Sequence, residues 1–406
     1  MPPRFSVLVP TRQRPDTLPA TLATLVDQPG DDYEIVVADN CGDERVDKVI
    51  KSAQARHPRV KHTRSDRILP MAVNWERGLA ACSGEYVTVL GDDDGFLPST
   101  FDVLRSLVSL SKAKVIAWDV HAYWWPDTIA HWNRNKLYAV LGSNDLVWKE
   151  SRPVLVQTYR NIVTFGELPS IYTGIVHRDL INSVIAKFGG YFVPAEMPPD
   201  VCSGIINLTC TGRFLHSSRP LTVRGNSRHS TGTSYWARSF GKEQQQTYLR
   251  EEGKTLEQLY HASINPSENV GFCVAMNKLH IKDLLFPNDP ELTIDLVALV
   301  KHTIADLNHE PEAYDENLAD ALRLAERIGM TVDPATIPAK AAPNRRPIQG
   351  PFNHPKSNIN IAVNCDLLNI FDVAGAARIA AAISSQPLVE EAAAEPATAP
   401  PLRKAG

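Results

Sequence analysis

The sequence predicts an α/β fold built on a mostly parallel sheet, and three observations predict it. Residues 5 to 120 alternate short β-rich runs with helical stretches, the order expected when crossover helices join parallel strands. Two of the runs, Glu34-Ile35-Val36-Val37-Ala38 and Tyr86-Val87-Thr88-Val89-Leu90, are too apolar for strands with a solvated face and suit central strands buried on both sides. Polar residues follow these runs directly, at the strand ends where open parallel sheets hold their ligands.

Taken in order, Phe5 to Val9 is the first strand, and the turn at Pro15 leads to Asp16, which predicts an N-cap for a helix to about Val26. Leu18, Leu22 and Leu25 give that helix one apolar face. The strand EIVVA ends at Asp39; helices follow near Arg45 to Ala55 and Ala72 to Ala81, with a short strand at Val60 to Thr63 between them. The strand at Tyr86 empties into Gly91-Asp92-Asp93-Asp94-Gly95. From 111 to 230 aromatics and turn residues break the periodicity around a strand at Val115 to Trp118, a Trp-rich stretch (Trp124, Trp125, Trp132) and a loop-prone segment at Val193 to Asp200. From about 240 to 330 the pattern is helical, and Asn288-Asp289-Pro290-Glu291 predicts the start of a helix with Leu292, Leu296, Leu299, Val300 and Ile304 on one face. Leu367 to Ile383 predicts a short amphipathic helix that docks on the body or meets a partner, and 386 to 406, poor in large apolar residues, predicts disorder.

The 406 residues leave room for two or three domains with sizeable cores. A net charge of -4, from 42 basic and 46 acidic residues, excludes nucleic-acid binding driven by bulk positive charge. Six cysteines without a CxxC pair favour neither a zinc site nor a disulfide framework and fit a reducing, cytoplasmic setting. No apolar run reaches the ~18 residues of a membrane-spanning helix, which predicts a soluble or peripheral protein.

The chemistry concentrates at three strand ends: Pro10-Thr11-Arg12, Asp39-Asn40 and Asp92-Asp93-Asp94. Neither GxGxxG after the first strand nor GxxxxGK[ST] anywhere is present, so a phosphate ligand needs another counter-charge. Three consecutive carboxylates repel one another unless solvated or metal-bound, and a hard divalent cation bridging to a diphosphate relieves that repulsion. The plainer reading is an acidic turn that caps the helix starting near Pro98. Flanking glycines, the apolar strand before them and Asp39 in the same sheet favour the ligand site. An EF-hand is excluded by the missing glycine and terminal Glu spacing.

Residues 4 to 110 resemble the nucleotide-sugar-binding half of a family 2 glycosyltransferase of the GT-A fold, through FSVLVPTRQRPDTL, YEIVVADN and ILPMAVNWERGLAACSGEYVTVLGDDDGFLP. The resemblance covers about a quarter of the chain and implies a GT-A type Rossmann-like sheet with flanking helices. It implies that Pro10, Thr11 and Arg12 line the nucleotide pocket, that Asp39 bonds the base, that Asp92 meets the ribose and that Asp93 ligates the metal. Many members have Asp where this chain has Gly91, which leaves open whether the DxD role falls on Asp92 with Asp94 or on Asp93 alone. By the same resemblance Asp200, before a helical stretch, is the first candidate for the catalytic carboxylate and Glu196 the second; the plain reading of Asp200 is a helix N-cap. The segment VRGNSRHSTG looks like the loop that closes over the diphosphate, with Arg224 and Arg228 offsetting phosphate charge and His229 completing a metal shell; its plain reading is a solvated basic loop. Trp124, Trp125, Trp132 and Trp236 are candidates for stacking on sugar rings, or core.

The resemblance divides the chain into a nucleotide-sugar-binding half at 1–110, an acceptor-binding half at 111–235, a helical C-terminal region at 236–340 and a Pro/Ala-rich extension at 341–406. The function it implies is inverting transfer of a sugar from a nucleoside diphosphate donor, a UDP-sugar, to an acceptor hydroxyl, with Mn or Mg as cofactor. A glycan or another hydroxyl compound is the acceptor, and the C-terminal helices are the surface for self-association or a partner. Two alternatives remain: a non-catalytic nucleotide-sugar-binding scaffold of a polysaccharide pathway, and a sugar nucleotidyltransferase, which lacks support because the first turn has no glycine-rich basic loop.

Overall fold

The computed structural model describes residues 2–161, 165–194, 197–343, 352–353 and 360–384. Its first half alternates strand and helix: β1 (Phe5–Thr11), α1 (Leu18–Val26), β2 (Tyr33–Asp39), α2 (Glu44–Arg56), β3 (Val60–Arg64), α3 (Met71–Ala81) and β4 (Tyr86–Val89). Strand β1 pairs in parallel with both β2 and β4, and β2 with β3. Successive side chains of β1 and β2 enter opposite cores: Val7, Val9, Ile35 and Val37 pack with α1 and α2 residues, while Leu8, Val36 and Ala38 pack with α3 residues such as Trp75. That two-sided burial is why both strands read as near-continuous apolar runs.

The second half is antiparallel at its join. After β5 (Gly95–Phe96), α4 (Thr100–Ser111), β6 (Val115–Trp124), β7 (Lys136–Val140), β8 (Leu146–Glu150) and α5 (Ser151–Tyr159), strand β9 (Gly174–His177) slots antiparallel between β4 and β6. Helices α6 (Arg178–Phe188) and α7 (Pro199–Cys210) lead to the long β10 (Arg213–Asn226), parallel to β6 and antiparallel to β5 and β8. The helices α8 (Thr231–Trp236), α9 (Lys242–Glu252), α10 (Leu256–Leu259), α11 (Val270–Leu285), α12 (Leu296–Ala305) and α13 (Tyr314–Arg327) follow. Helices α9 to α13 share one hydrophobic core with α5 and α7 through residues such as Phe272, Ile281 and Val300, while Trp236 of α8 packs in a separate cluster with Trp124. No helix among the described residues is long and apolar enough to cross a membrane.

The chain then returns to the sheet. After β11 (Phe352–Asn353), strand β12 (Asn360–Asn364) pairs antiparallel with β7, and α14 (Val373–Ser384) covers Tyr123, Leu137 and Val223. The Asn135 side chain accepts from the Tyr123 hydroxyl at 2.7 Å and donates to the Asp366 carboxylate at 2.7 Å, tying the extension to the body.

Four local expectations need correction. Asp16 does not cap α1: Thr17 holds the cap position without a side-chain bond, and Asp16 instead accepts from Arg228 at 3.3 Å. The helix expected from Asn288 begins at Leu296, capped by Asp295, because Asp289 is drawn into an ion pair with Arg152 at 2.6 Å. The helix expected over 367–383 is split at Asn369, whose φ of 52° stops a 3₁₀ turn before α14 starts. The segment expected as a basic loop from Val223 is strand as far as Asn226. The predicted disorder of 386–406 falls outside the described residues.

Candidate active site

Strand β4 is buried at every position and Leu90 continues it, so the chain cannot turn before Gly91 without exposing apolar surface. The three carboxylates that follow are nonetheless buried, at 2%, 4% and 2% exposure for Asp92, Asp93 and Asp94. Buried carboxylates require partners, and each has a different set. Asp94 accepts from the Gly225 N–H at 2.6 Å, the Gly91 N–H at 3.0 Å and the Tyr172 hydroxyl at 2.5 Å. Oδ2 of Asp93 accepts from the Ser227 hydroxyl at 2.7 Å and its N–H at 3.2 Å, and the Asp93 carbonyl accepts from the Trp125 indole at 2.9 Å. Oδ1 of Asp92 accepts from Arg14 Nη1 at 2.6 Å, while Oδ2 is buried with no partner among the described residues.

Burial, then the charge of Asp94, pushes the Asp93 carboxyl up to about 7, against the pull of Arg14 and Ser227. Burial also raises Asp94, against its bonds to Tyr172, Gly225 and Gly91. The cluster is short of positive charge, with one ion pair among the described residues, and one of its carboxylate oxygens, Asp92 Oδ2, has no partner there. Hard-oxygen donors in that state fit a divalent cation. Asp94 is the poorest ligand of the three, since both its oxygens are engaged by the chain itself. The glycine at 91 has a geometric reason: a Cβ there would stand 2.6 Å from the Tyr172 hydroxyl and 2.8 Å from Asp94 Oδ2.

On the other side of β1, Asp39 ends β2 fully buried. Its Oδ1 accepts from the Gly42 N–H at 2.6 Å, and Oδ2 faces His62 Nε2 at 3.2 Å and Arg64 Nε at 3.8 Å. Asp39, Asp47 and His62 bring donor atoms within 4.8 Å of one another, but Arg64 also pairs with Asp47 at 3.1 Å and already supplies the positive charge there. Pro10 and Thr11 lie where β1 approaches this end of the sheet, with Pro10 opposite Ala38 and Thr11 opposite Asp39. The Thr11 hydroxyl is buried without a partner among the described residues.

The basic residues frame the triad. Arg12 forms an ion pair with Glu251 of α9, and its pKa is lowered by burial and by Arg14. Burial opposes the charge on Arg14, yet the Asp92 and Asp93 carboxylates outweigh it and raise its pKa. Arg224, next to Gly225, has no ion pair among the described residues, and its charge acts on Asp94, Tyr172 and Asp200. Arg228 pairs with Asp16 and Asp127 at 3.3 and 3.5 Å and donates to His229 Nε2 at 2.8 Å. Burial, Arg14 and Arg228 lower the His229 pKa; with Nε2 already accepting, its ring is neutral.

Asp200 lies in the first turn of α7, half-buried, and burial raises its pKa against the Val201 N–H and the Arg224 charge. Glu196 lies outside the described residues. The chain before it is pinned by Glu76 of α3, whose carboxylate accepts from the Tyr191 N–H and from the Phe192 N–H at 2.5 Å. Of the tryptophans, Trp124 and Trp125 are buried at 8% and 6% exposure, and Trp125 serves Asp93. Trp236 packs on Trp124 with ring centroids 5.1 Å apart and on Trp132 at 6.1 Å.

Sequence reasoning missed Arg14, Tyr172, Gly225 and Ser227. Arg14 and the pair Gly225 and Ser227 stood within segments already singled out, TRQRP and VRGNSRHSTG, whereas nothing local marks Tyr172.

Residues 6–161 match the family described as glycosyl transferase family 2. Over that stretch the chain is similar to family 2 glycosyltransferases. A 115-residue stretch is 32% identical to the GalNAc(5)-diNAcBac-PP-undecaprenol beta-1,3-glucosyltransferase of Campylobacter jejuni, covering 28% of this chain and 37% of that relative. The chain thus spans little more than a third of the length of that relative. Among solved structures, TarS 1–349 of S. aureus in complex with UDP-GlcNAc overlays with a TM-score of 0.47 at 14% identity, over 81% of this chain and 93% of that one. TarS 1–349 alone gives 0.44 at 16% identity over the same shares. The matched stretch holds β1 to α4, and with them the whole acidic triad, Asp39 and Arg14.

Proposed function

We propose that the protein is a glycosyltransferase that moves a sugar, with inversion, from a UDP-sugar to an acceptor hydroxyl, assisted by a divalent cation. The observation that carries this reading is the buried triad at the end of β4, with one oxygen of Asp92 unpartnered among the described residues, Arg14 bonded to the other, and Arg224 close enough for its charge to act on Asp94. Asp92 and Asp93 are the residues that would hold the cation, which when bound supplies charge to the departing diphosphate. Arg224 adds a counter-charge from β10, placed by its neighbour Gly225, whose N–H bonds Asp94.

Asp39 receives the base at the end of β2, where a carboxylate can accept an imide N–H. His62 shares the same oxygen at 3.2 Å, so the base and His62 compete or bridge there. Asp200 takes the proton of the attacking hydroxyl: burial raises its basicity, and the N-terminal turn of α7 favours its charged form. The lipid-linked acceptor in the name of the Campylobacter relative makes a membrane-bound acceptor, and hence peripheral association, consistent with this reading.

The deciding experiment incubates the full chain with UDP-sugars and Mn²⁺ and follows UDP release with and without candidate acceptors. Release that requires the cation and disappears in Asp200→Asn supports transfer. Tight UDP-sugar binding with no release under any condition would make the protein a binding scaffold instead.

A further inference from the structure

The turn after β1 sends an arginine into the acidic triad. Arg14 Nη1 donates to Asp92 Oδ1 at 2.6 Å and Nη2 donates to the His229 carbonyl at 2.8 Å, joining residues 78 and 215 positions apart in the chain. The side chain is 17% exposed although it belongs to a surface turn, and that of its Asp92 partner is 3% exposed. The turn is shaped for this: Gln13 has φ of 52°, in the left-handed region that a non-glycine residue seldom occupies, and its amide donates to the Cys41 carbonyl at 3.2 Å. Among the described residues no other side chain forms an ion pair with Asp92, Asp93 or Asp94.

We infer that Arg14 is a positioning residue with two tasks, a tethered counter-ion for Asp92 and the clasp that keeps residues 227–230 folded over the triad. This rests on the proposed cation and donor site. A guanidinium suits both tasks, since its planar fork can give one N–H to a carboxylate and another to a carbonyl at fixed spacing, whereas an ammonium offers only a point charge. The same charge makes Arg14 a competitor of any cation at Asp92 and Asp93, because two positive charges within a few ångströms in a buried site repel. Arg228 reinforces the clasp from outside through Asp16, on the same turn, at 3.3 Å. Cation entry and opening of the 227–230 segment are therefore coupled through one side chain.

The test titrates Mn²⁺ into the full chain without nucleotide, reading free Mn²⁺ by electron paramagnetic resonance, and follows amide exchange of Ser227 to Ser230 by mass spectrometry. Arg14→Gln is expected to bind Mn²⁺ at least about tenfold more tightly than the wild type, the effect of removing a unit charge worth more than about one pK unit, and to exchange faster at 227–230. Arg14→Lys keeps the charge and stays within about twofold of wild type in Mn²⁺ affinity while losing protection at 227–230, since a single ammonium cannot span both acceptors. Should Arg14→Gln fail to fold, Arg14→Met gives the same pair of readings. If Asp93→Asn abolishes Mn²⁺ binding but Arg14→Gln leaves it unchanged or weaker, the cation site stands and the counter-ion role is wrong. Equal tightening in the Lys and Gln variants would also overturn it, pointing to packing. If no variant and not the wild type binds Mn²⁺, with or without UDP, the cation site falls and this inference with it.

Discussion

The N–H of Gly225 donates to the Asp94 carboxylate at 2.6 Å, and no side chain fits at that position, because a Cβ on Gly225 would overlap the Asp93 carbonyl oxygen. Strand β10 and the acidic turn are thus in backbone contact across 131 positions of sequence. Arg224, without an ion pair among the described residues, and Ser227, the partner of Asp93, flank this contact on either side.

Gly225→Ala should therefore break the site without touching a charged group. Stability should fall by about 1–3 kcal/mol, the usual range for overpacking, and UDP affinity should fall with it. Calorimetry and thermal denaturation read both; an unchanged melting temperature and unchanged UDP binding would show that β10 can withdraw at no cost.

Asp93 gives a pH signature. Its carboxyl is raised to about 7 in the fold from the usual 3.8, by burial first and then by Asp94, so between those values the folded state holds a proton that the unfolded state has lost. Stability from this group is present below about pH 4 and is lost as pH rises through 7. Asp93→Asn should raise the melting temperature at pH 8 and leave it nearly unchanged at pH 4. Mn²⁺ should stabilise the wild type at pH 8 and not the mutant. A mutant no more stable than wild type at pH 8 would show that the carboxylate is relieved there by other means.

Asp39→Ala should weaken UDP more than pyrophosphate, because the base contact is lost while the diphosphate contacts remain. Competition binding of the two ligands checks it. Equal losses would assign Asp39 to the fold alone, through Gly42, His62 and Arg64.

Asp200→Asn keeps shape and removes basicity. Donor affinity should persist and transfer should fall about 10²- to 10⁴-fold, as for loss of a general base. Near-normal turnover in Asp200→Asn with loss in Glu196→Gln would move the role to Glu196.

The C-terminal extension should act as a structural strap. Asn135 is fully buried, joins Tyr123 to Asp366, and adopts a φ of 50° that Asn tolerates better than Ala. Asn135→Ala should cost about 2–4 kcal/mol by orphaning buried groups and adding strain. Urea denaturation measures this; a loss below about 0.5 kcal/mol would show that β12 and α14 hold without the link.

What the sequence determined by itself was local. The strands at Phe5, Glu34 and Tyr86, the helices from Arg45 and Ala72, and the acids at two strand ends were all legible, because burial on both faces writes an apolar run into the chain and a strand end writes a polar break. The motif resemblance over 4 to 110 falls almost wholly within residues 6–161, which match the family model. Local signals failed where a distant partner outweighed them: Asp289 resembles a helix start until Arg152 takes it, and Asp16 resembles a cap until Arg228 does. The tertiary structure alone decided the state of the acidic triad. Three adjacent carboxylates look equivalent in sequence, but Asp94 is saturated by Gly225, Gly91 and Tyr172, Asp93 is held by Ser227, and Asp92 is left to Arg14 with one oxygen unpartnered. Most of those partners lie 78 to 134 positions away, and no periodicity within a strand or helix encodes a contact at that separation; only closure of the sheet, with β10 laid against β6 and β5, brings them to one place.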